Sequence, residues 1–311
     1  IYQENVMTTA QPILEQIEKW KQQRNAVLLA HNYQRRDVQE AADFLGDSLG
    51  LSREAARTEA KVIVFCGVHF MAETAAILSP DKTVLIPDER SGCPMANMIS
   101  VDKLRELKSQ HPDAAVVCYV NSSAAVKAES DLCCTSANAV EIVNSIDADR
   151  PVIFVPDKFL GTWTAEKTGR RLILWEGYCP THASITPTDV EKAQEEHPDA
   201  VVMVHPECLP EVTHMADAVE STSGMCRFAE ETDADEIIVG TEKGLIHRLR
   251  RENPDKTFYA ISRAAVCPNM KLHTLEKVLW SLQEMETVVR VPAETAERAR
   301  AAIDAMVSQG R

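Results

Sequence analysis

The feature that most limits how this chain folds is a threefold recurrence. Cysteine is followed at once by proline at Cys93-Pro94, Cys179-Pro180 and Cys267-Pro268, at intervals of 86 and 88 residues. Spacing this even marks a repeating unit. Each unit also holds a short apolar run that ends in a polar triplet: AVLLAHNY, AAVVCYVN and AVVMVHPE. The triplets are His31-Asn32-Tyr33, Tyr119-Val120-Asn121 and His205-Pro206-Glu207. A hydroxyl stands 17 residues beyond the first member of each, at Ser48, Ser136 and Thr222, and an aspartate precedes it by five, at Asp43, Asp131 and Asp217.

A second apolar run follows in each unit (KVIVFCG, PVIFVPD, EIIVGTE), then an amphipathic stretch, a third run and the Cys-Pro pair. The runs are short and rich in Val and Ile, whereas segments such as DVQEAADFLGDSLGLSREAARTEA carry helical periodicity. Alternating strand and helix predicts an α/β fold of parallel sheets covered by helices. We therefore expect three similar α/β units, 1–97, 98–183 and 184–311, the last ending in an amphipathic helix. Ligands of such sheets bind beyond the carboxyl ends of the strands, which is where every marked residue falls. Three such edges around a pseudo-threefold axis would bring triplets, hydroxyls and cysteines into one central site.

Composition narrows the partners. A chain of 311 residues, 45% hydrophobic, can bury a substantial core, and its net charge of −14 is spread along the sequence, which disfavours nucleic acid and anionic membranes. No apolar run approaches the roughly 18 residues of a membrane span, and the N-terminus lacks a signal pattern, so a cytoplasmic protein is expected. An anionic small substrate must then be met by local donors. Ser48, Ser136 and Thr222 suit helix N-termini, where free N–H groups and a hydroxyl hold carboxylate or phosphate.

Nine cysteines are an odd count in a chain without a signal, which argues against a disulfide framework. Three thiolates converging from three units suit an iron–sulfur cluster or zinc. The proline stiffens each loop and pushes the cysteine before it toward extended geometry, so that each sulfur is aimed. Three ligands would leave one iron of a cluster open as a Lewis acid. Cys66, Cys118, Cys133, Cys134, Cys208 and Cys226 lie off the repeat and read as small buried hydrophobes. Arg35 and Arg36 read as solvated, and Lys271, near Cys267, as solvated or facing the cavity.

The segments LLAHNYQ, ADFLGDSL, GVHFMAETAAILSPDKTVLIPD, GCPMANM, YVNSSAAVKAESDLCCTSANAV, PDKFLG, VHPEC and CPNMK resemble the quinolinate synthase family, in its order and over nearly the whole chain. Glu220, in VESTSGM, departs from the glycine expected there. The resemblance implies three α/β domains around a pseudo-threefold axis. It also implies a condensation of iminoaspartate with dihydroxyacetone phosphate to quinolinate, phosphate and water, in NAD biosynthesis. A 4Fe-4S cluster on Cys93, Cys179 and Cys267, with its fourth iron open to substrate, is implied as well, as is transient contact with an aspartate oxidase. Carried over by position, substrate contacts fall on His31, Ser48, Tyr119, Val120, Asn121, Ser136, His182, His205, Pro206, Glu207 and Thr222, with Tyr33 and Glu207 as the acid/base pair.

Read from the residues alone, other classes stay open. A hydro-lyase of the aconitase type also uses a three-cysteine cluster with an open iron, and release of phosphate separates it from the condensation. An iron–sulfur sensor, a zinc-stabilised binding module and three purely structural repeats are the remaining readings. The last predicts a colourless protein without metal.

Overall fold

A computed structural model describes the backbone of residues 2–309 and the side chains of residues 11–309. It is an α/β protein with three four-stranded sheets, all of whose strand pairs are parallel. The chain divides into two compact units, one of residues 1–92 and 268–291, the other of residues 93–267 and 292–311.

The first unit holds β1 (Ala26–His31), β2 (Phe44–Gly46), β3 (Val62–Cys66) and β4 (Thr83–Leu85), ordered β2-β1-β3-β4. The central strands are apolar without alternation because helices cover both faces of a parallel sheet. One cover is the helix pair Tyr2–Arg24 and Leu275–Glu284: Ile17, Leu275, Val278 and Leu282 pack on Leu28, Ala30, Val62 and Val64. Each such side chain contributes roughly 2 kcal/mol when fully buried.

The second unit holds two sheets built the same way. The strands β5 (Ala115–Tyr119), β6 (Leu132–Cys134), β7 (Val152–Val155) and β8 (Leu172–Leu174) are ordered β6-β5-β7-β8. The strands β9 (Val201–Val204), β10 (Ala218–Val219), β11 (Glu236–Gly240) and β12 (Thr257–Ala260) are ordered β10-β9-β11-β12. The C-terminal helix Ala293–Ser308 lies beside β6, burying Ala299, Ala302, Ile303 and Met306, and Asn138 Nδ2 donates to the Met306 carbonyl at 2.9 Å.

In every sheet the first and third strands of the repeat lie at the centre, so the chain order reverses between them. Their carboxyl ends frame the crevice in which such folds bind ligands. The repeated aspartates fix the neighbouring crossover. The N–H of Asp43, Asp131 and Asp217 donates to the carbonyl of Leu28, Val116 and Val202 at 2.9, 3.0 and 2.9 Å. In return, each carboxylate accepts the N–H of that same residue, at 2.7, 2.7 and 2.8 Å. Ser48 and Thr222 open ten-residue helices capped by Asp47 and Ser221, as expected. Ser136 does not: it sits three residues before the helix Ala139–Asn144, because the Asn138 side chain accepts the Thr135 N–H at 2.8 Å and closes a turn first. No described helix is long and apolar enough to cross a membrane.

Two predictions follow from this framework. Asp131→Ala leaves the Val116 N–H, fully buried, without its carboxylate and is expected to lower stability by about 2 kcal/mol in denaturant unfolding; Asp131→Asn, which keeps an acceptor, costs less. In the first unit, burial pushes the His273 imidazole down to about 4, against a smaller upward pull from its hydrogen bond to the Gly67 carbonyl. The unfolded chain takes up this proton near pH 6.5 and the folded chain only near pH 4. Stability is therefore complete above pH 6.5 and falls as the pH drops toward 4, by roughly 3 kcal/mol. His273→Gln should flatten that part of the pH–stability curve.

Candidate active site

The polar residues of the second unit converge on Glu207, three residues beyond β9 and 3% exposed. Its Oε1 accepts the Tyr119 hydroxyl at 2.5 Å and Asn121 Nδ2 at 3.3 Å. Its Oε2 lies 2.6 Å from His182 Nδ1. Burial alone would raise this carboxyl, but the charge and hydrogen bond of His182, joined by His205 and Tyr119, outweigh it and hold it at about 2. Glu207 is therefore ionised, a proton acceptor shielded from water. Asn121 Oδ1 is buried with no hydrogen-bond partner among the described residues, an acceptor left open within the site.

Two histidines set the geometry around it. The rings of His182 and His205 stack with centroids 4.6 Å apart. His205 Nδ1 accepts the Glu207 N–H at 3.2 Å, which leaves Nε2 for Ser136 Oγ, 3.2 Å away. His182 Nδ1 is also 3.2 Å from Cys179 Sγ, and its Nε2 is 2.8 Å from Thr241 Oγ1. Thr222 is buried at the start of its helix. Nearby, Glu220 presses on Gly224, where a Cβ would stand 2.2 Å from Glu220 Oε2. Val120 is buried and donates its N–H to the Cys134 carbonyl at 2.8 Å, and Pro206 is buried, so both shape backbone rather than offer a polar side chain.

Cys93, Cys179 and Cys267 each keep some exposed surface, yet protein crowds them from most sides. Crowding pushes the Cys93 thiol up to about 12, and the charges of Glu207 and Cys267 act in the same direction. Cys179 is raised by burial and then by Glu207 and Cys93. Cys93 thus lies within electrostatic reach of both Cys179 and Cys267, and none of the nine cysteines is in a disulfide. Thiols that repel as anions and form no disulfide are a donor set that a soft, positively charged metal group satisfies, so the residues fit an iron–sulfur cluster. Cys179, His182 and Glu207 also offer donor atoms within 4.8 Å of one another, enough for a single metal ion. Of the other cysteines, Cys66, Cys118, Cys133, Cys134 and Cys208 are buried and Cys226 partly so.

The remaining marked residues lie in the first unit. His31 ends β1, and its Nδ1 accepts the Tyr33 N–H at 3.1 Å, the same local turn that His205 and Glu207 make. The Tyr33 ring meets the His31 ring edge-on at 4.6 Å, and Lys271 Nζ donates to the Tyr33 carbonyl. Ser48 is half-buried. Arg35 and Arg36 pair with Asp37 and Glu40 at the surface. Sequence reasoning missed three buried residues of the second unit: Thr241, which braces His182, and the carboxylates Asp157 and Glu242. The signal was present, since the second apolar runs end in VPD and GTE at matching places.

Comparison with known proteins agrees over nearly the full length. Residues 15–308 match the family model described as Quinolinate synthetase A protein. A quinolinate synthase of Dehalococcoides mccartyi (strain CBDB1) is 57% identical over 295 residues, covering 95% of this chain and 97% of the relative. Quinolinate synthase 1 of Methanosarcina acetivorans is 56% identical over 296 residues (95% and 97%), and a quinolinate synthase of Geobacter metallireducens is 54% identical over 299 (96% and 98%). With one family model spanning most of its length and relatives above half identity, this chain belongs to the quinolinate synthetase A family of enzymes.

Proposed function

We propose that the chain condenses iminoaspartate with dihydroxyacetone phosphate to give quinolinate, phosphate and water. The observation that carries this reading is the ionised, buried Glu207 carboxylate, hydrogen-bonded to Tyr119 and adjoining the set of three free cysteines. Joining the two substrates requires an enamine, loss of phosphate and water requires proton donors, and aromatising the ring requires a base. Glu207 is the base. At 3% exposure it meets little water, and Tyr119 and Asn121 orient it.

Cys93, Cys179 and Cys267 would hold a 4Fe-4S cluster, which with three thiolate ligands supplies one open iron as a Lewis acid for a substrate carboxylate or hydroxyl. The chain's own groups bind and move protons. The Ser136 hydroxyl, which accepts from His205 Nε2 and so keeps its own proton to give, and the Thr222 hydroxyl are donors for substrate carboxylate or phosphate, and Asn121 Oδ1 takes the imine or enamine N–H. His31, Ser48 and Tyr33 join them by their places in the repeat. Tyr33, third member of its triplet as Glu207 is of its own, serves as the proton donor. Delivery of the short-lived imine by an aspartate oxidase completes the proposal.

Anaerobically purified protein should contain about four iron and four acid-labile sulfide per chain and release phosphate only when both substrates are present. Zinc alone would defeat the cluster, and phosphate-free turnover of a hydroxy acid would defeat the condensation. Glu207→Gln and Tyr33→Phe should each keep iron and sulfide at the wild-type level while slowing quinolinate formation by about a hundredfold or more. A near-normal rate in either variant removes that residue from the chemistry.

A further inference from the structure

Each cysteine loop is tied down at one repeated place. The backbone N–H of His69, Lys158 and Lys243 donates to the carbonyl of Ser91, Gly177 and Ala265 at 2.8, 2.8 and 3.0 Å. The donors stand three residues beyond the aligned ends of β3, β7 and β11. The acceptors stand two residues before Cys93, Cys179 and Cys267. All three acceptors are small and buried. The approach is tight: a Cβ on Gly177 would lie 2.3 Å from the Pro156 carbonyl oxygen.

The residue just before each donor separates the repeats. In the second unit it is Asp157 and Glu242, both fully buried carboxylates; in the first it is Val68. Glu242 Oε1 accepts the Cys267 N–H at 3.3 Å while its Oε2 accepts the Gly244 N–H at 2.7 Å. Asp157 Oδ1 accepts the N–H of Phe159 and Leu160 at 2.9 and 2.8 Å, capping the helix Lys158–Thr168. Its Oδ2 has no full hydrogen bond among the described residues; burial and the Glu207 charge raise this carboxyl well above the usual range, against a smaller downward pull from the N–H groups of Leu160, Phe159 and Cys179. Both side chains thus stand between the start of a helix and the backbone of a cysteine. At Val68 no carboxylate is available, and the loop uses the Ser91 hydroxyl, which donates to the Gly67 and Asp88 carbonyls at 3.2 and 2.8 Å.

We infer that Asp157 and Glu242 are positioning residues that latch the loops of Cys179 and Cys267 to the strand ends of β7 and β11, presetting two of the three sulfurs for their metal group. The latch itself is a property of the polypeptide; its purpose rests on the cluster reading above. Neither carboxylate is required to touch substrate. Each removes a freedom that the metal would otherwise have to freeze on binding.

The discriminating change is from acid to amide. Asp157→Asn keeps an oxygen for the helix cap and turns an NH2 toward the Cys179 N–H, donor against donor; Glu242→Gln does the same at Cys267. Amide hydrogen exchange would be followed in the full-length, metal-free, reduced chain, and iron loss to a chelator in the anaerobically loaded chain. Asp157→Asn should speed exchange across 177–179 roughly tenfold and leave 265–267 unchanged, with Glu242→Gln giving the mirror image, since each removes the oxygen acceptor that faces a cysteine N–H. Both should lose iron several-fold faster than wild type. Asp157→Ser, which caps the helix yet is too short to reach the loop, should match Asp157→Asn and guards against a folding defect. Unchanged exchange at both loops in folded variants overturns the latch. If wild-type chain takes up no iron and sulfide, the cluster reading fails, and the exchange measurement still decides the latch.

Discussion

Taking the Glu207 carboxylate out of water costs several kcal/mol unless protein donors replace its hydration. Those donors come from separate places in the second unit: Tyr119 and Asn121 at the end of β5, and His182 after β8, while Glu207 itself follows β9. The two sheets of that unit must therefore present their carboxyl ends to one point, or the charge goes unpaired. The hydrogen bonds that satisfy this buried charge are the same ones that tie these sheets together. Thr241, reaching His182 from the end of β11, extends the demand to a further strand.

The second constraint is backbone rather than charge. A cysteine in a loop is a poor ligand if the loop wanders, and proline restricts only its own φ and the residue before it. The N–H to carbonyl bond two residues before each Cys-Pro pair supplies the missing restraint in every repeat. The acceptors Ser91, Gly177 and Ala265 are all small and buried, and at Gly177 the approach is close enough that a Cβ would stand 2.3 Å from the Pro156 carbonyl oxygen.

Much of this was legible because the repeat enters the sequence as spacing. The strands, their parallel arrangement and the place of the triplets at strand ends follow from runs such as AVVMV and from the intervals between marked residues. Spacing says less about what a residue does. Asp43, Asp131 and Asp217 recur as regularly as the hydroxyls after them, yet they clamp backbone. Ser136 keeps the interval but not the helix start, because Asn138 claims the turn locally. Thr241, Asp157 and Glu242 escaped notice because the three repeats disagree there, with Gly67 and Val68 in the first; a pattern sought as identity misses a role that two repeats keep and one gives up. The His182–Glu207 pair was beyond reach for a different reason, since it joins segments 25 residues apart that no periodicity relates.

The aspartate clamps bear on how the chain reaches this state. Each joins residues 15 apart, in both directions at once, so a loop of modest entropy closes for two hydrogen bonds, one of them to a side-chain oxygen. Contacts of short sequence separation form early, which gives the polypeptide three independent starting points for its three sheets. The benefit brings a hazard. AVLLA, AAVVC and AVVMV are nearly interchangeable as first strands, so a clamp that closes late leaves an apolar strand able to pair with the wrong repeat. A clamp that closes early thus guards each first strand against pairing with another repeat.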